Sequence, residues 1–421
     1  MNGYTEIAKC RVCGNPNLDS ILDLGTQALT GIFPKAADQQ VPVAPLQLVK
    51  CADKDDANAC GLVQLKHSCN PTLMYGSNYG YRSGLNASMV AHLQAKAEKI
   101  RGTASLPPGS MILDIGSNDS TLLRALDEPG LQMVGMDPTG EKFREFYPPH
   151  IHLIPDFFSA SRFRREFGHR RANVITSIAM FYDLEDPQAF VHQVAETLAD
   201  NGIWVFEQSY LPLMLGRTSY DTICHEHVEY YSLKQIRYLL DRAELKIISV
   251  EKNQVNGGSF SVTAAHRSST GLEPDSSVPE AFAEEAGQEL AGGNIYAQFR
   301  ERVFAQREAL CRLLRNWSET GRKLFGYGAS TKGNVILQFC GISSKDIPFI
   351  ADVNPDKFGC FTPQTLIPII SEEQARARKP DGYLVLPWHF REHILVREKN
   401  FLAAGGALVF PLPQIEVVLK P

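Results

Sequence analysis

The stretch TICHEHVEYYS, residues 222–232, sets Cys224, His225, Glu226, His227, Glu229, Tyr230 and Tyr231 within eleven positions. Such side chains can ligate a metal, move protons or line a polar loop. Metalloprotease helices carry two histidines four residues apart. His225 and His227 are two apart, so on a helix turning about 100° per residue they would face nearly opposite sides. On an extended segment the pair shares a side, which leaves a metal open. Acid–base chemistry fits best, because a histidine titrates near neutrality and carboxylates stand beside it.

A second chemistry sits at the start of the chain. Nine cysteines occur, five of them within the first 69 residues. The CRVC knuckle (Cys10, Cys13) can turn two thiolates toward one ion, and Cys51 with Cys60 is the natural second pair of a tetrahedral structural zinc site. The intervening ADKDDANA makes an unusually long finger tip, and His67 or Cys69 are possible substitutes. A redox CxxC should open a helix beside a strand, and CRVCGNPN does not.

Two glycine turns supply the third chemistry. ILDIGSND (112–119) reads as an apolar strand ending in Asp114, Gly116, Asn118 and Asp119, followed by a helix. A glycine there lets a ligand approach the backbone, and the helix start favours anionic groups. Only Gly116 stands where a dinucleotide fingerprint wants three glycines, so an amino-acid-bearing ligand is expected instead, with Asp114 and Asp119 answering an ammonium or sulfonium. Asp137, ending the next strand in GMD, is expected to take ribose hydroxyls. Asp156, Phe157 and Phe158 suit the edge and face of an adenine, and Ser177 in ANVITSIAM joins this cofactor set. In this order the motifs resemble a class I S-adenosylmethionine-dependent methyltransferase domain. Further on, LFGYGASTKGN (324–334) is a strand into a turn with Gly328, Ser330, Lys332 and Asn334, matching neither Walker A nor the dinucleotide fingerprint. It reads as a phosphate cradle, with Asp352 after IPFIAD meeting a ribose or base.

The elements that must hold these groups are legible as patterns. MILDIGS, LQMVGMD, ANVITSIAM and GIWVFEQ are apolar runs separated by helical patterns such as PQAFVHQVAETLAD, which predicts a parallel α/β sheet. NASMVAHLQAKAEKIR (86–101) predicts an amphipathic helix, and HRSSTGLEPDS a polar linker before a long helical stretch. A second α/β unit is predicted from KLFGYGAS, with strands at IPFIAD, GYLVLP and GALVFP. The chain is 421 residues long, so two or three domains are expected. Its net charge of −5 offers no basic field for nucleic acid or an anionic membrane. No window approaches the ~18 apolar residues of a membrane span, and the opening MNGYTEIAKC lacks a signal-peptide layout, so a cytoplasmic protein is expected.

One combination of motifs goes further. The N-terminal CxxC, PLQLVKC with CGLVQL, ILDIGSND, DFFS, FEQSY, HEHVEYYS, NGGSF and GYGASTKGN all occur in this chain. On them the chain resembles the three-domain sugar C-methyltransferases, which methylate ring carbons of nucleotide-linked 4-keto-6-deoxysugars. The resemblance implies a zinc-binding domain (1–75), a central Rossmann-like methyltransferase domain (76–268), and a helical linker with a C-terminal Rossmann-like domain (269–421) that helps hold the nucleotide sugar. Cys224 and Asp183 stand where a tyrosine and a histidine are expected in the C3-methylating members. The reaction needs a base beside a ketone, which points to His227, with Glu226 or Asp183 orienting it or binding sugar hydroxyls, and His225 alongside. Tyr79 and Tyr81 are the aromatic hydroxyl donors expected from outside the motif. Other readings remain: an O-methyltransferase, a dinucleotide oxidoreductase, or a non-catalytic zinc- and nucleotide-binding protein. A monomer or homodimer is expected.

Overall fold

The computed structural model describes residues 3–52, 59–75 and 81–419. Three principal sheets follow one another along the chain. The first is a four-stranded antiparallel sheet in the order Glu229–Tyr230, Val63–Leu65, Val43–Cys51, Leu18–Ala28. No long element is legible in the sequence of residues 1–75. Leu18–Ala28 carries two register shifts against its partner, after Ser20 and after Asp23. Each shift interrupts the two-residue alternation by which a half-buried strand is read.

The central sheet has seven strands, ordered Leu245–Asn253, Ser259–His266, Leu198–Ser209, Ala172–Ile178, Met111–Ile115, Gln132–Met136, His152–Ile154. All are parallel except Ser259–His266, which runs antiparallel to both neighbours. Met111–Ile115 is buried at every position, which is why it reads as a continuous apolar run rather than an alternation. From this strand the chain steps outward through Gln132–Met136 to His152–Ile154, then crosses to the strand's other side at Ala172–Ile178, so a crevice opens outside the carboxyl ends of Met111–Ile115 and Ala172–Ile178. Helix Ala87–Thr103, capped by the Asn86 side chain on the Ser88 N–H, covers part of that crevice. Behind it Phe181, Phe190, Trp204 and Phe206 pack ring against ring.

The third sheet repeats the plan: Ile369–Ser371, Ile350–Asp352, Leu324–Tyr327, Gly382–Val385 and Ala407–Phe410 run parallel, with Glu416–Val418 antiparallel at the edge. Helix Asn294–Glu319 leads into it. No helix among the described residues is long and apolar enough to cross a membrane.

Residues 229–230 belong in sequence to the central unit yet form an edge of the N-terminal sheet. Val228 is held on both sides: its carbonyl accepts the Leu65 N–H at 2.8 Å, and its N–H donates to the Tyr182 carbonyl at 2.9 Å. The histidine-rich segment is thus fixed by backbone pairing between two domains.

Candidate active site

A cavity of about 310 Å³ occupies the crevice of the central sheet. Asp114, Gly116, Asn118, Asp137, Phe157, Phe158, Asp183 and Glu207 are among its lining residues. Gly116 has φ +74°, and a Cβ there would stand 3.1 Å from Met180 Cγ, so conformation and space both call for glycine. Asp137 Oδ2 accepts the Asn118 N–H at 2.8 Å, and Oδ1 accepts the N–H and hydroxyl of Thr139, each at 2.6 Å. One lone-pair site remains, on Oδ2, for a ribose hydroxyl. Burial pushes the Asp114 carboxyl up to about 7, partly offset by the Thr176 hydroxyl at 2.6 Å. An acidic but largely apolar cavity fits a cofactor with two cationic groups, ribose hydroxyls and an adenine. In S-adenosylmethionine calorimetry, Asp137→Ala should weaken binding about ten- to a hundredfold, the worth of hydrogen bonds to a charged group. NADH binding as tightly to the same site would contradict this assignment.

Several expected cofactor contacts are used elsewhere. The Asn118 side chain bonds the Tyr81 carbonyl and the Ser83 N–H, and Asp119 accepts the Gly84 N–H at 3.0 Å and the Thr121 hydroxyl at 2.6 Å. Asp119 therefore docks the 82–84 segment and is absent from the cavity lining. Ser177 is likewise absent; its hydroxyl accepts the Trp204 indole N–H at 2.9 Å within the core. Asp156 is exposed and bonds the next backbone N–H, outside the cavity lining, whereas Phe157 and Phe158 both reach the cavity. Tyr81 also lines it, and Tyr79 lies outside the described residues.

Glu207 belongs to the site without having been expected from its motif. Burial opposes its charge, but His92 at 2.6 Å and Lys96 at 2.8 Å prevail and hold its pKa below the ordinary range. Asn253 Nδ2 also donates to it at 2.8 Å. The signal was available: one carboxylate inside the apolar strand run IWVFEQS demands buried partners.

Next to the cavity, the 222–232 segment does not run extended. The His227 N–H donates to the Cys224 carbonyl at 3.1 Å, closing a turn at His225–Glu226. The two histidines therefore part company. His225 is buried with Nε2 at 3.1 Å from the Ala44 carbonyl, in the N-terminal domain. His227 packs on the Tyr182 ring, centroids 4.1 Å apart, with Nδ1 at 3.0 Å from the Thr222 carbonyl. A carbonyl only accepts, so Nδ1 carries the hydrogen and Nε2 keeps its lone pair. The orienter of His227 is thus a backbone carbonyl rather than the carboxylate the sequence suggested. Burial lowers the His227 pKa to about 3, assisted by Lys332, so its ring is neutral at physiological pH.

Two carboxyls stand near it. Asp183 is held well above the usual carboxylate range by burial and by Glu226; its Oδ2 accepts the Tyr75 hydroxyl at 2.7 Å, and its Oδ1 has no partner among the described residues. Burial likewise raises Glu226, whose Oε2 accepts the Thr30 hydroxyl at 3.1 Å. Tyr230 and Tyr231 are buried packing groups.

The C-terminal domain turns the carboxyl ends of its strands toward this segment. Of the five residues expected to cradle a phosphate or nucleotide, three are engaged within the C-terminal domain and two reach other domains. A Cβ on Gly328 (φ +78°) would meet Pro387 Cγ at 2.7 Å. Ser330 Oγ caps its helix on the Gly333 N–H at 2.9 Å. Asp352 accepts the Ala329 and Asn354 N–H groups, each at 2.7 Å. Asn334 Nδ2 donates to the Thr30 carbonyl at 2.7 Å. Lys332 instead crosses to the central domain, donating to the Asn256 carbonyl at 2.7 Å, where Asn256 lines the cofactor cavity. Burial lowers its pKa, opposed by the nearby Asp221 and Cys224. Asp221 in turn accepts the Trp388 indole N–H at 2.7 Å.

In the N-terminal domain the Sγ atoms of Cys10, Cys13, Cys51 and Cys60 all lie within 4.8 Å of one another. Cys10–Cys60 and Cys13–Cys51 are each 3.5 Å apart. Four sulfurs converging without disulfides fit a tetrahedral zinc ion. Cys69 and His67 stand outside this cluster. Part of the finger tip, residues 53–58, lies outside the described residues. Metal analysis should return one zinc per chain, and a Cys10→Ser, Cys13→Ser variant should lose it together with the cooperative fold of the domain, because binding and folding are coupled.

Comparison with known proteins accords with this layout. A family model described as "Putative zinc binding domain" matches residues 10–75, one described as "Methyltransferase domain" matches 89–250, and one described as "C-methyltransferase C-terminal domain" matches 254–413. C-methyltransferase NovU of Streptomyces niveus is 30% identical over 420 residues, 98% of this chain and 97% of its own. Among solved structures, mitomycin 7-O-methyltransferase MmcR aligns over 43% of this chain and 55% of its own at 14% identity, with a TM-score of 0.34. CalO1, a methyltransferase in calicheamicin biosynthesis, aligns over 44% and 55% at 13% identity, with a TM-score of 0.34. The chain therefore belongs to the C-methyltransferase family, as an S-adenosylmethionine-dependent methyltransferase with an N-terminal zinc-binding domain and a second α/β domain at its C-terminus.

Proposed function

We propose that the protein methylates a ring carbon of a nucleotide-linked 4-keto-6-deoxysugar, with His227 as the base that removes the proton next to the ketone. The observation that carries this reading is the fixed tautomer of His227: Nδ1–H is committed to the Thr222 carbonyl, and neutral Nε2 is free to accept. A carbon next to a ketone becomes nucleophilic only after losing a proton, when the charge spreads onto the oxygen as an enolate. When bound, S-adenosylmethionine supplies an electrophilic methyl group. Asp114, Gly116 and Asp137 would hold it, with Phe157 and Phe158 against its adenine.

Lys332 supports the enolate better than a distant diphosphate in this reading. Its ammonium, half-buried and held by the Asn256 carbonyl, interacts with Asp221, Cys224 and His227, and a fixed cation stabilises developing negative charge. Asp183 and Glu226 take sugar hydroxyls, and Tyr75 holds Asp183. The name of NovU, a C-methyltransferase, supports carbon as the acceptor.

The test uses thymidine, uridine and guanosine diphosphate-linked 4-keto-6-deoxyhexoses with S-adenosylmethionine carrying a ¹³C methyl group. One of them should give a product whose methyl carbon resonates as C–CH₃. An O–CH₃ signal would replace this mechanism with simple alkylation of a hydroxyl. Failure with all three would remove the sugar reading.

A further inference from the structure

From the end of strand Leu18–Ala28 the N-terminal domain sends residues 29–34 out of its sheet and into the seam between the other two domains. There the segment is fastened to the C-terminal domain. The Ala28 N–H donates to Gln338 Oε1 at 2.7 Å, and its carbonyl accepts from Gln338 Nε2 at 3.2 Å. Asn334 Nδ2 donates to the Thr30 carbonyl at 2.7 Å, and the Phe361 N–H donates to the Pro34 carbonyl at 2.8 Å. The Lys357 ammonium sits 4.5 Å from the centre of the Phe33 ring.

This segment presents one side chain to the central domain's histidine-rich turn. Thr30 Oγ1 donates to Glu226 Oε2 at 3.1 Å; Thr30 has no solvent exposure and Glu226 only 8%. At the next residue, a Cβ on Gly31 would stand 2.6 Å from Glu226 Oε1. Gly31 is outside the positive-φ glycines, so its backbone does not require glycine; the space taken by the carboxylate does. A glutamate has three side-chain torsions to fix, and a buried one without donors is free to turn or to neutralise. Thr30 and Gly31 restrict the first and oppose the second from outside the domain that carries Glu226.

We propose that Thr30 and Gly31, residues of the zinc-bearing domain, are positioning residues for methyl transfer, clamping the Glu226 carboxylate so that its remaining lone pairs face the substrate. The N-terminal domain is then a working part of the active site and not only a folded cap. The inference rests on the reading of Glu226 as a substrate-facing group.

The experiment compares Thr30→Val, Thr30→Ser, Gly31→Ala and Glu226→Gln in the full zinc-loaded chain, using whichever of the three sugar nucleotides wild type methylates. Thr30→Val should lower kcat about ten- to a hundredfold, the worth of a hydrogen bond to a charged group. S-adenosylmethionine affinity should stay at the wild-type value, and the chain should still unfold cooperatively, at a temperature lowered only by the loss of one buried hydrogen bond. Without the hydroxyl donor the carboxylate ionises less readily, so the acid limb of kcat should move to higher pH. Thr30→Ser should restore most of the rate. Gly31→Ala should lower kcat without weakening cofactor binding.

A Thr30→Val enzyme with normal kcat and an unmoved pH profile overturns the proposal, as does a Thr30→Ser enzyme no better than Thr30→Val, which would reduce Thr30 to packing. Glu226→Gln separates the two layers. If it is crippled while Thr30→Val is normal, only the clamp is wrong. If it is itself unimpaired, the substrate-facing reading of Glu226 falls and the clamp with it.

Discussion

His227→Ala should lose about a hundred- to ten-thousand-fold in methyl transfer, the usual worth of a positioned general base, while binding S-adenosylmethionine as tightly as wild type. The separation follows from the layout. His227 is fixed by the Thr222 carbonyl and the Tyr182 ring, and it is not among the residues lining the cofactor cavity. Calorimetry with the cofactor and steady-state rates with the sugar nucleotide check the two halves separately. His225→Ala should cost catalysis far less, because His225 faces the Ala44 carbonyl behind the turn. Equal losses from the two variants would mean that the turn is being disrupted, not a base removed.

Lys332→Gln should give the second large effect, in two parts. Loss of the cation beside the forming enolate should lower kcat about a hundred- to a thousandfold, as removal of a single oxyanion donor does. The pH profile should shift as well. The base works when deprotonated, and in wild type His227 has its pKa lowered to about 3 by burial and then by Lys332. The acid limb of kcat/KM due to this base therefore lies well below the ordinary histidine range near 6.5. Removing the positive charge makes protonation of His227 easier, so the limb should move up in pH. A lysine that served only the diphosphate would behave otherwise: KM for the sugar nucleotide would rise, with kcat and the acid limb unchanged.

What could be read in advance divides along physical lines. The strands Met111–Ile115 and Ala172–Ile178 were legible because a parallel strand buried on both faces is a plain apolar run. The two longest strands of the N-terminal sheet were not, since the bulges in Leu18–Ala28 break its period. His227 and Asp137 are legible as candidates from residue type and from their place in a motif. Their partners are not. The Thr222 carbonyl is main chain, which no side-chain pattern reports. Thr30 and Lys332 reach Glu226 and His227 from other domains, and only the docking of three separate folds brings them there. The GYGASTKGN turn shows a different ambiguity: its glycine and polar residues read as a phosphate cradle, and Gly328, Ser330 and Asn334 also meet Pro387, Gly333 and Thr30. A cap and a packing glycine have the same composition as an anion site.

The central claim is that His227 makes a carbanion next to a ketone before any methyl group moves. Solvent deuterium exchange reads that step alone. With S-adenosylhomocysteine in the cofactor site and the sugar nucleotide in heavy water, wild type should wash deuterium into the carbon beside the ketone, seen as loss of its proton resonance, and His227→Ala should not. Equal exchange by both proteins would put the base elsewhere, and methyl transfer by wild type without any exchange would contradict the enolate mechanism.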